Sequence, residues 1–381
     1  MSEAYIVDAV RSPMGRFRGG LSGIHPVDLG AEALRGLMDR VAVDPADVDD
    51  VIWGCVGQIG AQAFNVGRNC WLAAGFDDSV PAVTLARQCG SSQQAVHFAS
   101  QAIRSGDMDL VVAGGVEVMS LVALNSQADV GPDLGMGYPF DADLWTERFG
   151  EQVIHQFRGG NLIAEQWEIS PGQMNQLALK SHQSATDAWS EGRFDSQFLE
   201  VNGVQRDEAI RETTIEKMES LSPFSEFGPL TAAMSSQLAD GSAAILVASG
   251  EAVERYGLEP MARVHTAVVT GSDPVLILTG PIPATRKAIA KSGLSLDDIG
   301  LFECNEAFAS VGLAWEKEIG GDPDLVNVNG GAIALGHPLG ASGARLMTTL
   351  VHEMQRTGTK YGLQTMCEGG GLSNATILEL V

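Results

Sequence analysis

The sequence has little positive charge. It carries 24 lysines and arginines against 48 aspartates and glutamates, which gives a formal net charge of −24 over 381 residues. Nucleic acids and anionic membrane surfaces are bound by basic faces, so this balance argues against both as partners. A ligand that is itself a polyanion would have to be held by local arginines, lysines and backbone N–H groups.

Cysteine is also scarce, and long apolar runs are missing. The five cysteines are Cys55, Cys70, Cys89, Cys304 and Cys367. They are widely spaced without a Cys-x-x-Cys pair, so the sequence predicts neither a structural zinc site nor a disulfide framework, and we expect no bound metal. No apolar run approaches the roughly 18 residues of a membrane span, and residues 1–11 do not resemble a signal peptide. We therefore expect a cytoplasmic protein without membrane insertion.

Aromatic residues make up only 6% of the chain, whereas glycine is abundant. Apolar residues account for 45% and charged residues for 19%, a composition typical of a globular protein. Small and branched side chains must therefore fill the core. The 45 glycines are roughly 12% of the chain, against about 7% in average usage. They cluster in turns such as Gly369–Gly371, which indicates close approaches of the backbone.

Both ends of the chain alternate strand-like and helix-like segments, which predicts an α/β layered core. In the first third we predict strands at 5–10, 51–53, 80–84 and 110–113, and helices at 26–41 and 92–103. In the last third we predict helices at 283–292 and 344–354, strands ending at 303 and 366, and a glycine-rich turn at 327–334. The order loop, helix, strand, glycine run occurs in both thirds, at 84–115 and at 336–371, which indicates one unit used twice.

The middle of the chain has a different character. Residues 122–236 lack buried strand patterns, and we predict a loop at 129–143 and helices at 163–167 and 171–190. The sequence therefore predicts three domains. The first comprises residues 1–121 with 237–260, the second is an inserted loop domain at 122–236, and the third comprises residues 261–381.

Cys89 is the first candidate for chemistry. It lies in Arg87–Ser92, between a predicted strand and a predicted helix. A thiol at the N-terminus of a helix is close to the positive end of the helix dipole, which favours a thiolate with a lowered pKa. The strand–turn–helix placement is typical of the nucleophile of an acyl-transfer enzyme. The alternative is a buried cysteine that only packs.

His337 and Cys367 would converge on Cys89 if the two similar units pack around a pseudo-two-fold axis. His337, between glycines before a helix, would act as a general base for the thiol. Cys367 would act as an acid or base, and the N–H of Gly369 would bind an oxyanion. Asn305 would hold a water or a substrate carbonyl, although Asn305–Glu306 are also typical of a helix N-cap.

Five segments resemble the thiolase family, in the order and spacing found there. They are Arg11–Gly15, Arg87–Ser92, Asn305–Ala309, Asn329–Pro338 and Cys367–Gly371. The resemblance implies a five-layered αβαβα fold with two pseudo-repeated core domains and an inserted loop domain. It implies that Cys89 is the nucleophile, His337 its base and Cys367 the acid/base. Asn305 would hold a water that forms one oxyanion hole with His337, and the backbone N–H groups of Cys89 and Gly369 would form the other.

The resemblance also implies coenzyme A as co-substrate, with no permanently bound cofactor. Ser236 aligns with a serine that contacts pantetheine, Arg211 lies where a residue near the adenine and phosphates is expected, and His155 lies where some members place a pocket histidine. Phe308, in the Asn305–Ala309 segment, is a further candidate for binding CoA or substrate. The family forms dimers that often pair into tetramers, so we expect a homodimer or a homotetramer.

The predicted reaction is thiolysis of a 3-oxoacyl-CoA to acetyl-CoA or propionyl-CoA and a shortened acyl-CoA, reversible as a Claisen condensation. Residues 156–161, Gln237 and residues 91–94 depart from the common family pattern, which argues against short-chain specificity. The segments 87–97 and 361–371 look like those of bacterial degradative thiolases of fatty-acid or steroid-ring breakdown. The alternatives are a biosynthetic acetoacetyl-CoA thiolase, a condensing enzyme resembling ketoacyl synthases, and a non-catalytic lipid carrier of the same fold.

Overall fold

A computed structural model describes residues 3–381 of the chain. Within this range the strands are β1 (Ala4–Arg11), β2 (Gly15–Arg16), β3 (Asp50–Gly54), β4 (Ala82–Leu85), β5 (Leu110–Val118), β6 (Ala239–Ser249), β7 (Ala262–Gly271), β8 (Leu301–Cys304), β9 (Tyr361–Glu368) and β10 (Leu372–Leu380). The helices are α1 (Pro26–Met38), α2 (Val66–Ala73), α3 (Ser91–Ser105), α4 (Ser126–Asp133), α5 (Asp143–Phe149), α6 (Gln156–Gln166), α7 (Pro171–Ser190), α8 (Ile215–Glu219), α9 (Gly250–Tyr256), α10 (Pro281–Ser292), α11 (Ala309–Ile319), α12 (Ala332–Leu335) and α13 (Leu339–Thr357).

The strands form one sheet made of two similar halves. Its order is β4-β3-β5-β6-β1-β7-β10-β9-β8, with β2 paired to β6. In the first half β3 pairs parallel to β5, β5 antiparallel to β6, and β6 antiparallel to β1. In the second half β8, β9, β10 and β7 repeat the same series of pairings. The halves meet where β1 pairs with β7. This repeated topology confirms the duplicated unit.

Helices cover both halves and separate them, which gives five layers. On the outer face of the first half, α1 and α2 pack on Trp53 and Val112. On its inner face, α3 and α13 lie between the two halves, in a core that includes Ala113 and Leu378. On the outer face of the second half, α10 and α11 pack over Phe302. The αβαβα fold expected from the resemblance is therefore present.

Strand β5 is almost entirely apolar because helices cover both of its faces. Val112 lies in the outer core, whereas Val111 and Ala113 lie in the inner one. Successive side chains of a strand point to opposite faces, so a strand covered by helices on both faces must be apolar at every position. The one acidic residue of β5, Glu117, is therefore an exception that needs partners.

The middle segment is helical and adds no strand to the sheet within residues 122–236. The predicted loop at 129–143 is wrong in its first part, because α4 continues to Asp133 with Pro132 near its end. Strand β6 follows the middle segment and lies between β5 and β1. The proposed domain boundaries remain a prediction. None of the helices within residues 3–381 is both long and apolar enough to cross a membrane.

Candidate active site

Cys89 lies on a sharp turn between β4 and α3. The residue before it, Gln88, has a φ of +47°, a left-handed conformation that costs energy in a non-glycine residue. The hydroxyl of Ser91 holds this turn, since it donates to the Gln88 carbonyl at 2.6 Å and accepts from the Arg87 N–H at 2.9 Å. The turn leaves the Cys89 side chain partly exposed at the wall of a cavity. The thiol is therefore positioned to meet a ligand.

The electrostatics of Cys89 differ from the expectation. Burial, followed by the negative charge of Glu368, raises the pKa of the Cys89 thiol to about 12, although the Gly369 N–H lowers it. The prediction that the helix dipole would leave Cys89 with a lowered pKa is wrong. Loss of water around the sulfur outweighs the dipole. Cys89 is thus a thiol at neutral pH and needs a base to become a nucleophile.

His337 has the protonation state that such a base requires. Ser342 Oγ donates its hydrogen to the Pro338 carbonyl at 2.8 Å, so it accepts from His337 Nδ1 at 2.6 Å. This arrangement places the ring proton on Nδ1 and leaves the lone pair of Nε2 available. Burial, with a contribution from the Arg345 charge, lowers the pKa of His337 to about 3. The imidazole is therefore neutral at physiological pH.

Asn305 lies directly beside His337. It follows β8, and its Nδ2 is 3.4 Å from His337 Nε2. Its Oδ1 is buried and has no hydrogen-bond partner within residues 3–381. The helix N-cap interpretation of this segment is wrong, because the N-cap residue of α11 is Phe308. Asn305 thus presents an amide toward the catalytic histidine candidate.

Cys367 completes the group at the end of β9. Its side chain is fully buried, and its pKa is raised well above the ordinary value by burial, by Cys89 and by Glu368. Because the charge of Cys89 acts on the pKa of Cys367, the two side chains lie near each other. The backbone N–H of Ala307 acts in the opposite direction and lowers the pKa of Cys367. Cys367 therefore keeps its proton at neutral pH and can serve as an acid.

One cavity of about 570 Å³ connects Cys89 and His337 to the surface. Among the residues that line it are Cys89, His337, Gly369, Ser236 and Phe308. A slightly larger cavity of about 610 Å³, between α7 and α11, is lined by neither Cys89 nor His337. The smaller cavity is therefore the candidate active site.

Comparison with known proteins agrees with this geometry. The model of the thiolase N-terminal domain matches residues 4–251, and that of the thiolase C-terminal domain matches residues 258–380. The chain belongs to the thiolase family. It is an acyltransferase of mixed α/β fold, and the expected family and enzyme class are confirmed.

Several thiolases are similar over the whole chain. A steroid 3-ketoacyl-CoA thiolase of Mycobacterium tuberculosis is 54% identical over 100% of this chain and 94% of its own. A 3-ketoacyl-CoA thiolase of Aliivibrio fischeri is 43% identical over 100% of both chains. The crystal structure of the Bacillus anthracis acetyl-CoA acetyltransferase superposes with a TM-score of 0.89 at 38% identity, covering 100% of this chain and 99% of that one.

The residues expected to bind CoA lie in two places in this thiolase. Ser236 and Phe308 line the active-site cavity. His155 caps α6 beside it, accepting from the Phe157 N–H at 3.2 Å. Arg211 lines a different cavity of about 560 Å³, together with Lys217. The four residues expected from the sequence to bind CoA or substrate therefore do not all line one cavity.

Sequence reasoning missed two buried glutamates that hold the segments around His337. Glu117 accepts from the N–H groups of Val56, Gly57 and Gly340, at 2.9–3.0 Å. It thereby ties the first half to the start of α13, next to His337. The signal was an acidic residue in an otherwise apolar strand.

Glu306 has a similar role on the other side of His337. It accepts from Ser181 Oγ at 2.7 Å, from Asn327 Nδ2 at 3.1 Å and from the Ile333 N–H at 3.1 Å. These bonds connect the segment of Asn305 to the loop that carries His337. A buried carboxylate with three donors is stabilised despite its desolvation. Sequence reasoning identified Asn305 but gave its neighbour Glu306 no role beyond the alternative of a helix N-cap.

Proposed function

We propose that this thiolase works in the degradative direction. It splits a 3-oxoacyl-CoA with free CoA into acetyl-CoA or propionyl-CoA and a shortened acyl-CoA, through a thioester on Cys89. The observation that carries the proposal is the shared cavity wall of Cys89 and His337, with Asn305 and Cys367 buried against them. The names of two relatives, 3-ketoacyl-CoA thiolase and steroid 3-ketoacyl-CoA thiolase, support the same direction.

The first half-reaction starts from a thiol and a neutral imidazole. Cys89 gives its proton to His337 Nε2 and its sulfur attacks the 3-keto carbon. The backbone N–H groups of Cys89 and Gly369 bind the resulting oxyanion, and donors of this kind contribute about 10²–10³ each in rate. The bond between C2 and C3 then breaks. The leaving enolate takes a proton at carbon from Cys367, while Asn305 and His337 hold its oxygen.

The second half-reaction returns every proton. The imidazolium of His337 reprotonates the Cys367 thiolate after acetyl-CoA leaves, which restores a neutral base. The CoA thiol then gives its proton to His337, and its sulfur attacks the thioester. Cys89 departs and takes the proton back. Two half-reactions through one covalent intermediate predict ping-pong kinetics.

CoA is proposed to contact residues of two separate cavities. Ser236 and Phe308 lie on the cavity wall, where they are placed for contact with pantetheine. His155 packs against Phe157 and Phe227 at the same side of the molecule. Arg211 and Lys217 supply positive charge for phosphates on a molecule with a net charge of −24. A charge-reversing Arg211→Glu variant should raise the KM for CoA with little change in kcat.

The acyl group is proposed to be bulky. The cavity of about 570 Å³ is lined largely by apolar side chains, among them Phe157, Phe224, Ile277 and Leu278. Phe157 belongs to the segment that departs from the common family pattern. Burial of a large apolar acyl group against such walls is favourable in proportion to the area removed from water. We therefore propose long-chain or polycyclic 3-oxoacyl-CoAs as substrates, as in steroid-ring breakdown.

The deciding experiment is CoA-dependent thiolysis across 3-oxoacyl-CoAs from acetoacetyl-CoA to long-chain and polycyclic members. We expect higher kcat/KM for the bulky members. Cys89→Ala should abolish turnover, whereas Cys70→Ala, at a buried cysteine of α2, should retain it. Intact mass measurement after addition of 3-oxoacyl-CoA alone should show an acyl adduct that is absent from Cys89→Ala.

The other outcomes separate the alternatives. A preference for acetoacetyl-CoA would indicate a biosynthetic thiolase. Acyl-CoA binding without cleavage, unchanged in Cys89→Ala, would indicate a lipid carrier. Condensation without any thiolysis would indicate a relative of the ketoacyl synthases. Each of these results would overturn the degradative proposal.

We further propose that the thiolase is a homodimer that pairs through β4. This strand forms one end of the sheet, is apolar except for Thr84, and leaves Val83 exposed. The neighbouring Phe64 is 95% exposed, and Asn65 holds its loop to the Ala82 carbonyl at 2.8 Å. An uncovered apolar edge strand favours pairing with another chain. A symmetric dimer would pair two copies of β4 and bury Phe64.

A homotetramer would need a second contact. Residues 121–153, at the start of the middle segment and directly before it, expose five large apolar side chains. They are Leu121, Leu134, Met136, Leu144 and Val153. We propose that this surface, which we name the middle-segment surface, joins two dimers.

A further inference from the structure

Glu368 is a buried carboxyl that the proposed mechanism does not use. It lies on β9 between Cys367 and Gly369, and its side chain has no exposed surface. Neither of its carboxyl oxygens has a well-placed hydrogen-bond donor within residues 3–381. A carboxyl with so few partners is costly to ionise. Its location beside the two reactive cysteines therefore calls for a role.

The carboxyl lies against the turn that carries the nucleophile. A Cβ atom built at Gly90 would clash with Glu368 Oε1, so only glycine permits this approach. Gly90 is the N-cap residue of α3, and the turn is also held by Asn374 Nδ2, which donates to the Gly90 carbonyl at 3.1 Å. Glu368 thus stands at the positive end of α3, where the dipole would otherwise favour a thiolate on Cys89.

The charged and titratable groups facing Glu368 are Arg87, Cys89 and Cys367. Burial raises the pKa of Glu368 to about 8, whereas the Arg87 charge and the Asn374 N–H lower it. In turn, the charge of Glu368 raises the pKa of both thiols. Three acids thus share one desolvated space, where a second negative charge is costly. Glu368 is the first of them to lose its proton.

We propose that Glu368 restrains the nucleophile: once the buried carboxyl has lost its proton, its negative charge keeps Cys89 in the thiol form. This inference rests on the proposed role of Cys89. Glu368 acts through Cys89 and touches no substrate, so it is a positioning residue.

The restraint depends on pH in a defined way. Below about pH 8 Glu368 is mostly neutral, so it does not oppose transfer of the Cys89 proton to His337. Above that pH the carboxylate opposes formation of the thiolate. The thiolate fraction of Cys89 therefore rises less steeply with pH than it would without Glu368, which limits its oxidation and alkylation when no substrate is bound.

The test is the rate of Cys89 alkylation by iodoacetamide, followed by peptide mass from pH 6.5 to 10. Glu368→Gln should match the wild type near pH 6.5–7 and react faster above pH 8. The expected gain is about three- to tenfold for each pKa unit removed, because the thiolate fraction rises tenfold per unit while a thiolate of lower pKa is a weaker nucleophile. Glu368→Asp keeps an ionisable group and should retain the bend of the wild-type profile.

Glu303→Gln is the matched control. Glu303 is also a buried carboxyl, with a pKa raised to about 8 by burial, but it lies on β8. Its removal should leave the alkylation profile of Cys89 unchanged. A loosened structure in Glu368→Gln would instead raise the rate by a constant factor at every pH. Such a constant factor, or no difference at all, would overturn the inference.

The wild type provides a test that needs no variant. Its alkylation rate should rise less steeply above pH 8 than below, and a straight tenfold rise per pH unit through this range would contradict the proposal. The assay uses no acyl-CoA, so it is independent of thiolysis. A change of slope near pH 8 in a protein without thiolase activity would contradict the proposed function but support the role of Glu368. An active thiolase without this change of slope would contradict only the role of Glu368.

Discussion

The Ser342 hydroxyl accepts a hydrogen bond from His337 Nδ1 at 2.6 Å and donates one to the Pro338 carbonyl at 2.8 Å. A serine one turn into α13 thus decides which nitrogen of the imidazole carries the proton. Asn305 Nδ2 lies 3.4 Å from the other ring nitrogen, His337 Nε2. The proposed base therefore depends on a residue that touches neither thiol nor substrate.

Ser342→Ala should lower kcat by about tenfold or more, because a correctly placed general base contributes about 10²–10⁴ in rate and its tautomer would no longer be fixed. The KM values should change little. Ser249→Ala is the control, since this buried serine caps α9 and lies on the far end of β6. It should lose about 1 kcal/mol of stability and keep kcat. Full activity in Ser342→Ala would contradict the tautomer argument.

Burial of neutral histidines also makes stability depend on pH. His97 in α3 is buried and its Nε2 lies 2.7 Å from Thr376 Oγ1. Burial, with the Arg87 and Lys291 charges, lowers the pKa of His97 from 6.5 to about 3. Between these values the unfolded chain binds the proton and the folded chain does not. The contribution of His97 to stability is therefore complete above pH 6.5 and falls as the pH falls towards 3.

His97→Gln should remove this dependence. Its free energy of unfolding should change with pH less steeply than that of the wild type between pH 6.5 and 5, by about 1.4 kcal/mol per pH unit. Urea unfolding at several pH values measures the two slopes. The comparison of slopes is unaffected by any loss of stability at neutral pH. Equal slopes would show that His97 is protonated in the folded chain.

At the scale of elements, the start of α13 approaches the ends of β3 and β5 over three glycines. They are Gly54, Gly115 and Gly340. A Cβ atom at Gly340 would lie 2.6 Å from Cys55 Cα, and one at Gly115 would clash with the Gly340 carbonyl. The close approach brings the His337 loop against the half of the molecule that carries Cys89. Backbone packing between elements thus sets the distance across the active site.

Gly115→Ala should destabilise the protein by about 1–3 kcal/mol, the usual cost of an extra methyl group in a packed interior. It should also reduce kcat, because α13 must shift and carry His337 with it. Thermal unfolding and thiolysis would measure the two effects. Gly23→Ala is the control, since a Cβ atom there meets nothing within 4 Å. A Gly115→Ala enzyme of wild-type stability and rate would rule out this packing role.

At the scale of the whole molecule, the two halves of the sheet share one topology but differ at their ends. The β8 end is partly covered, because Phe302 bridges to Val326. The β4 end is open and carries Phe64 beside it. The proposed dimer would therefore close the end of the sheet nearest to Cys89.

Phe64→Asp should convert the dimer to a monomer, because it would place a charge in the apolar centre of the contact. Light scattering after size-exclusion chromatography would measure the mass. Leu144→Asp, on the middle-segment surface, should leave the dimer intact and abolish only a tetramer. A Phe64→Asp protein with the wild-type mass would argue against pairing through β4.

Local sequence predicted β1, β3, β4, β5, β8 and β9 and the long helices α1, α3, α7, α10 and α13, but not the central strands β6, β7 and β10. It also supplied the positions proposed to be catalytic. The continuous apolar run of β5 and the helical spacing of α13 are properties of neighbouring residues, so they predict those elements directly. The motifs around Cys89, Asn305, His337 and Cys367 predicted the thiolase family, which the comparisons confirm. The repeated order of elements also predicted the two similar halves.

Only the tertiary structure decided the protonation of the site and the neighbours of each candidate. The raised pKa of Cys89 comes from loss of water and from Glu368, which is remote from it in sequence. The packing of distant segments also places Arg211 in a cavity other than the active-site cavity. Desolvation and charge act through space, so they depend on which distant segments pack together. The local sequence determines the residues and their elements, and the packing of the two halves determines their chemistry.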